Sequence, residues 1–201
     1  MALLNQIIPP QNFEIIRDRI PVILVDEIAN QFTLTSDTDL QVSVFGERIV
    51  PFDAANMPVI NVLFSNGAEN QQTTANSSNI YTFFIDIYTK AKSTATERGG
   101  KASAYHLHKL LGVCRAILEN PQYRTLNFPL PSLESTAIKE ISIADPKNNQ
   151  DANSIMMGRL TFECKIREGV QLLPAGTIKE STTVINIEET AEGYKYNFIT
   201  P

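Results

Sequence analysis

The sequence predicts an α+β fold: a mainly antiparallel β-sheet packed against two principal α-helices, with a C-terminal β-hairpin extension. Three observations carry that reading. Apolar residues recur at three- and four-residue steps in two separate stretches, as on one face of a helix. They alternate with polar residues in several other stretches, as on a half-buried strand. Polar or turn-forming segments join neighbouring strands as hairpins, which makes those strands antiparallel. A length of 201 residues suits one domain with appendages. Residues 1–172 read as the α+β domain, and 173–201 as a linker and hairpin extension.

The first helix runs from Phe13 to about Gln31, with Phe13, Ile16, Ile20, Leu24 and Ile28 on one face and Asn12 as its N-cap. Pro21 lies inside the pattern. It lacks an N–H and crowds the preceding turn, so the helix is expected to kink there or split in two. Arg17, Asp18 and Arg19 lie on the other side.

Strands follow. Leu40, Val42 and Val44 alternate with polar residues up to Phe45-Gly46. Pro58 opens a second run, with Ile60, Val62 and Phe64 pointing one way. A third, Ile80 to Tyr88, sets Tyr81, Phe83, Ile85 and Ile87 on one face and Thr82 and Asp86 opposite. Between the last two lies Ser65 to Asn79, which contains no large apolar side chain and reads as a long mobile hairpin loop.

The second helix has capping-box spacing at Thr94-x-x-Glu97, although Gly99 and Gly100 weaken its first turn and leave Lys101 as an alternative start. Leu107, Leu110, Leu111, Cys114, Ile117 and Leu118 form its apolar stripe, with Lys101, His108 and Arg115 opposite, and Asn120-Pro121 ends it. Phe128 to Pro131 is an extended connector. Ala137 to Ile143 is a weaker strand in which Ile138 and Ile141 break strict alternation and mark a bulge. Asp145 to Asn153 is a second polar loop. In Arg159 to Arg167, Leu160, Phe162, Cys164 and Ile166 face inward and the charged residues outward. After a linker through Pro174 and Gly176, Val184 to Glu188 and Tyr194 to Ile199 form a final hairpin with a turn at Ala191 to Gly193. A two-stranded hairpin is marginal alone. It therefore either returns to its own sheet or augments a neighbour's.

Charged residues make up 19% of the chain, which is sparse enough to suit a protein that buries part of its exterior against other subunits. A net charge of -5 supplies no attraction for a phosphate backbone, so any contact with DNA is passive. The short apolar patch at the N-terminus is interrupted by Asn5 and Gln6 and follows no basic residue, which argues against a signal peptide. No apolar run approaches the roughly 20 residues that span a bilayer. The chain therefore reads as cytoplasmic, with Cys114 and Cys164 as small buried hydrophobes and no disulfide.

Catalytic chemistry is missing at the level of motifs. His106 and His108, two apart on a helix, point to different sides and cannot share a metal. His106 and Cys114 are separated by about 12 Å along the axis, which rules out joint ligation and a catalytic pair. Glu97-Arg98-Gly99-Gly100 has neither the Lys-Ser/Thr nor the glycines of a phosphate loop. Asp26-Glu27 and Glu188-Glu189 are adjacent acids on single elements, not pairs facing across a cleft. Asn76-Ser77-Ser78 matches a glycosylation sequon that a cytoplasmic chain would not use. No enzyme activity, metal or cofactor is expected.

One resemblance spans the middle of the chain. A strand ending Phe84-Ile85-Asp86-Ile87-Tyr88 leads through a polar turn to a long helix closing on Val113-Cys114-Arg115-Ala116-Ile117-Leu118. A hairpin follows, its second strand being Arg159-Leu160-Thr161-Phe162-Glu163-Cys164-Lys165-Ile166-Arg167-Glu168. This order resembles the tail-terminator (tail-completion) proteins of long-tailed bacteriophages, whose N-terminal helix matches Asn12 to Gln31. The resemblance implies a virion protein of the tail–neck junction, assembled in the host cytoplasm. It implies a homohexameric ring that caps the tail tube protein, stops tube growth and meets the head-side connector or neck protein. DNA would only pass through its pore, and no membrane is involved. A head–tail adaptor or a tail tube subunit is the alternative, and a small α+β ligand-binding protein or enzyme a further one. The expected protein-interface residues are Asn70, Gln71 and Gln72 in the first polar loop, Asn148 and Asn149 in the second, and Tyr194, Tyr196 and Phe198 in the hairpin.

Overall fold

The computed structural model describes residues 7–48, 57–71, 76–92, 99–128, 133–144, 153–169, 184–190 and 193–199. The fold is α+β. Helix α1 (Asn12–Thr35) is followed by strands β1 (Ser43–Gly46), β2 (Val59–Gln71) and β3 (Asn76–Lys92), and then by helix α2 (Gly99–Leu118). Strands β4 (Leu133–Ala144) and β5 (Asn153–Gly169) complete a five-stranded sheet in the order β1-β2-β3-β5-β4. Only β1 with β2 is parallel; the other pairs are antiparallel. Strands β6 (Val184–Thr190) and β7 (Gly193–Ile199) make a separate antiparallel ladder. Residues 10–170 form one compact unit, and the hairpin belongs to another.

Helix α1 neither splits at Pro21 nor takes Asn12 as its cap. A proline inside a helix costs about 3 kcal/mol. Ile16, Ile20, Ile23, Leu24 and Ile28 are all buried, and each contributes about 1.5–3 kcal/mol, so burial outweighs the lost turn. The N-cap is Gln11, whose backbone N–H donates to the Glu14 carboxylate at 2.7 Å. Asn12 is the first helical residue, and its side-chain amide donates to Glu168 at 2.9 Å. Leu40 also departs from expectation. It ends a 3-10 turn (Thr38–Leu40) in which the Asp37 carboxylate accepts the Asp39 N–H, and it enters the core from there, so the strand starts only at Ser43.

Most of the expected loop between the second and third strands is paired strand. Asn66 lies opposite Thr82, Gly67 opposite Tyr81, and the ladder continues to Gln71 opposite Ser77. On its other side β3 pairs with β5 from Asn76↔Gly169 to Lys92↔Asn153. A strand flanked on both sides satisfies its backbone through the ladders, so it persists where large apolar side chains are lacking. Gly67 has a local role: a Cβ there would stand 2.8 Å from the Tyr81 ring. That ring packs with Phe13 and Phe64, at centroid distances of 5.9 and 6.3 Å.

The stripe predicted for α2 is buried throughout, from Leu107 to Leu118, against the inward residues of β3 and β5. Lys101, His108 and Arg115 are exposed on its far side. Thr94 and Glu97, the expected capping box, lie outside the described residues. Beyond Leu118 the Asn120 side chain accepts the Gln122 N–H and caps a 3-10 turn at Pro121–Tyr123. The predicted bulge in β4 is present as a register shift between Ile138 and Glu140, and a second shift falls between Leu133 and Ser135.

Candidate assembly surfaces

Two surfaces of the main unit expose apolar side chains. The first is the outer side of α1. Ile15, Val22 and Val25 recur there at helical spacing and are 36%, 52% and 46% exposed. Helix α1 is thus apolar on both sides, a pattern that suits a helix covered on both sides better than one facing water.

The second surface is the edge formed by β4. Ile141 pairs with Leu160 and Ile143 with Gly158, so both lie on the face of the sheet that carries the helices. Among the described residues, β4 is the last strand of the five-stranded order on this side, and the two isoleucines are 44% and 45% exposed. Two adjoining depressions, of about 190 and 330 Å³, run between β4 and α2; both are lined by Glu119 and Ile138. The opposite face of β4 is polar. Glu134 accepts from Lys165 at 2.9 Å and from Arg167 at 3.1 Å, and Lys139 lies 3.3 Å from Glu163. The Lys165 hydrogen bond, more than any other cause, holds the Glu134 carboxyl below its ordinary value.

The scaffold behind these surfaces is braced by polar contacts. Asp86, 2% exposed, takes a two-pronged ion pair from Arg159 at 2.6 and 2.8 Å, and the guanidinium stacks on Phe84 at 4.0 Å. Lys109 on α2 binds Asp39 at 2.8 Å and also Asp37, and a His106 ring nitrogen meets the Asp39 carbonyl at 2.7 Å. These contacts fix α2 to the segment that joins α1 to β1. Tyr123 donates to Glu27, fixing the turn after α2 to α1. Glu168 gathers Asn12, Asn79 and Tyr81 at the far end of β3.

His106 carries that carbonyl contact and His108 is exposed. Both cysteines are free and buried; burial pushes the Cys114 thiol up to about 12 and raises Cys164 as well, so neither is an activated nucleophile. Among the described residues, no group of three or more His, Cys, Asp or Glu side chains is placed to hold a metal ion. No described helix is long and apolar enough to cross a membrane.

The expected interface residues fall in different places. Asn70 and Gln71 are not loop residues: they end β2, opposite Ser78 and Ser77 in the ladder. Pairing with β3 on one side is what holds them in the sheet. Gln72, Asn148 and Asn149 lie outside the described residues. Tyr194, Tyr196 and Phe198 occupy alternate positions of β7, in register with Glu189, Ile187 and Ile185 of β6. The sequence reading missed the two apolar surfaces. Their signal was present, since Val22 and Val25 stand off the core stripe of α1 and Ile141 and Ile143 flank the polar Ser142 just after Lys139 and Glu140. What it could not show is that β4 ends the sheet.

No protein-family model matches the chain, and a comparison with curated proteins finds no match.

Proposed function

We propose that the chain is a structural subunit without enzymatic activity that self-associates into a ring capping a phage tail tube. In this reading the ring stops tube growth and joins the tail to the head-side connector. The observation that carries it is the pair of apolar surfaces, on α1 and β4, borne by a unit in which Asp86, the one buried charge among the described residues, is paired with Arg159. Exposed isoleucines and valines at regular spacing suit contacts with other subunits. The succession β3, α2, then the β4–β5 hairpin is the order of elements on which the resemblance to tail terminators rests. The negative net charge suits a pore that DNA passes without sticking.

Negative-stain imaging of the purified protein, alone and mixed with tail tubes, tests this. Closed rings, free or seated on tube ends, are expected. Long filaments formed by the protein alone would favour a tube subunit instead. A monomer that ignores tube ends would overturn the reading.

A further inference from the structure

We infer that α1 pairs antiparallel with α1 of a second copy, through the outer face that carries Ile15, Val22 and Val25. The contact is independent of the ring: neighbours in a closed ring meet head to tail, whereas this contact is two-fold.

Spacing marks the face as a seam between helices. Ile15, Val22 and Ala29 recur every seven residues and Val25 falls three beyond Val22, the steps by which two helices interlock along a stripe. All four are exposed, while Ile16, Ile20, Ile23, Leu24 and Ile28 on the opposite side are sealed in the core. The one charge on the stripe, Asp18, pairs with Arg17 of its own helix at 2.8 Å.

Charge decides what the face fits. Arg19 and Asp26 are both exposed and stand two turns apart on the same flank of the stripe. Among the described residues neither has an ion-pair partner. When two such helices run antiparallel, a two-fold axis midway between these positions sets Arg19 of each copy opposite Asp26 of the other. One contact thus closes two opposite-charge pairs. The axis passes beside Val22, so the valines at 22 and 25 meet their counterparts, and Ile15 falls opposite the small Ala29 of the other helix. In a parallel pairing this flank would face the other one, which near Asp26 offers Pro21 and Ile28 and no cation.

Charge exchange and a single cysteine test this. Arg19→Asp and Asp26→Arg should each weaken self-association in sedimentation equilibrium by at least about tenfold, because each places two like-charged pairs in the contact. The two variants mixed together should associate again, as should one chain carrying both substitutions, since either combination restores opposite charges. Under mild oxidation Val22→Cys, next to the two-fold axis, should give a disulfide-linked dimer; the native cysteines are buried and contribute little background. A mixture no more associated than the separate variants would overturn the inference, as would Val22→Cys that stays unlinked. A monomer in which that thiol resists a soluble maleimide would also overturn it, by showing the face covered within one chain. Imaging separates the two proposals. Closed rings without linkage leave the ring standing and remove the pairing; linked dimers without rings do the reverse.

Discussion

Strands β5 and β4 lie side by side, and both set apolar residues toward the helices, yet they meet opposite fates. In β5, Leu160, Phe162, Cys164 and Ile166 are sealed, with β3 and β4 on either side and α2 overhead. In β4, Ile141 and Ile143 occupy the neighbouring positions on the same face and stay almost half exposed. The side chains are of similar kind, so the difference lies in the neighbours. A core position is made by what surrounds it, and core-type residues on an outer strand stay half exposed.

That contrast can be broken or sharpened by substitution. Phe162→Ala should have the largest effect, lowering stability by about 3–5 kcal/mol in a denaturant melt, because the emptied core cannot refill. Replacing Arg159 with Met should cost about 2–3 kcal/mol by leaving Asp86 buried and unpaired; the value is below that of a sealed pair because Arg159 is 34% exposed. Gly158→Ala should cost about 1–3 kcal/mol, since the added methyl would stand 2.8 Å from Leu111 Cδ1 and 3.2 Å from Leu107 Cδ1 in a filled core. Ile143→Ala, next to Gly158 across the ladder, should change monomer stability by no more than about 0.5 kcal/mol while weakening self-association measured by sedimentation. A large stability loss from Ile143→Ala would erase the distinction between the two strands.

The smallest effect concerns pH. The pKa of Glu134 is lowered from 4.5 by Lys165 and Arg167, so its share of the β4–β5 contact is fully present above pH 4.5 and fades as pH falls through the lowered value. The difference in melting temperature between the natural protein and Glu134→Gln should therefore shrink below pH 4.5. A difference that stays constant through that range would show that Glu134 does not pin β4 by its charge.

Much of the scaffold was legible from periodicity. The buried stripe of α2 and the inward residues of β5 follow directly from spacings of 3.6 and 2, because one face of each element meets a single environment. The bulge at Ile138 was legible for the same reason, as a break in alternation. The candidate surfaces were not. Periodicity shows which face of a strand is apolar, but not whether another strand lies beside it.

Local periodicity dictated the α+β class, the faces of α2 and β5, and the burial of both cysteines, since these depend on residues close together along the chain. Long-range packing instead decided that α1 runs unbroken through Pro21, because the burial that outweighs the proline comes from distant elements. It also decided that Asn66 to Gln71 form strand, because the hydrogen bonds that hold them come from β3. The same holds for β4 as the outer strand. Which isoleucines are core and which stay half exposed is a matter of strand order, and strand order is set by contacts between segments far apart in sequence.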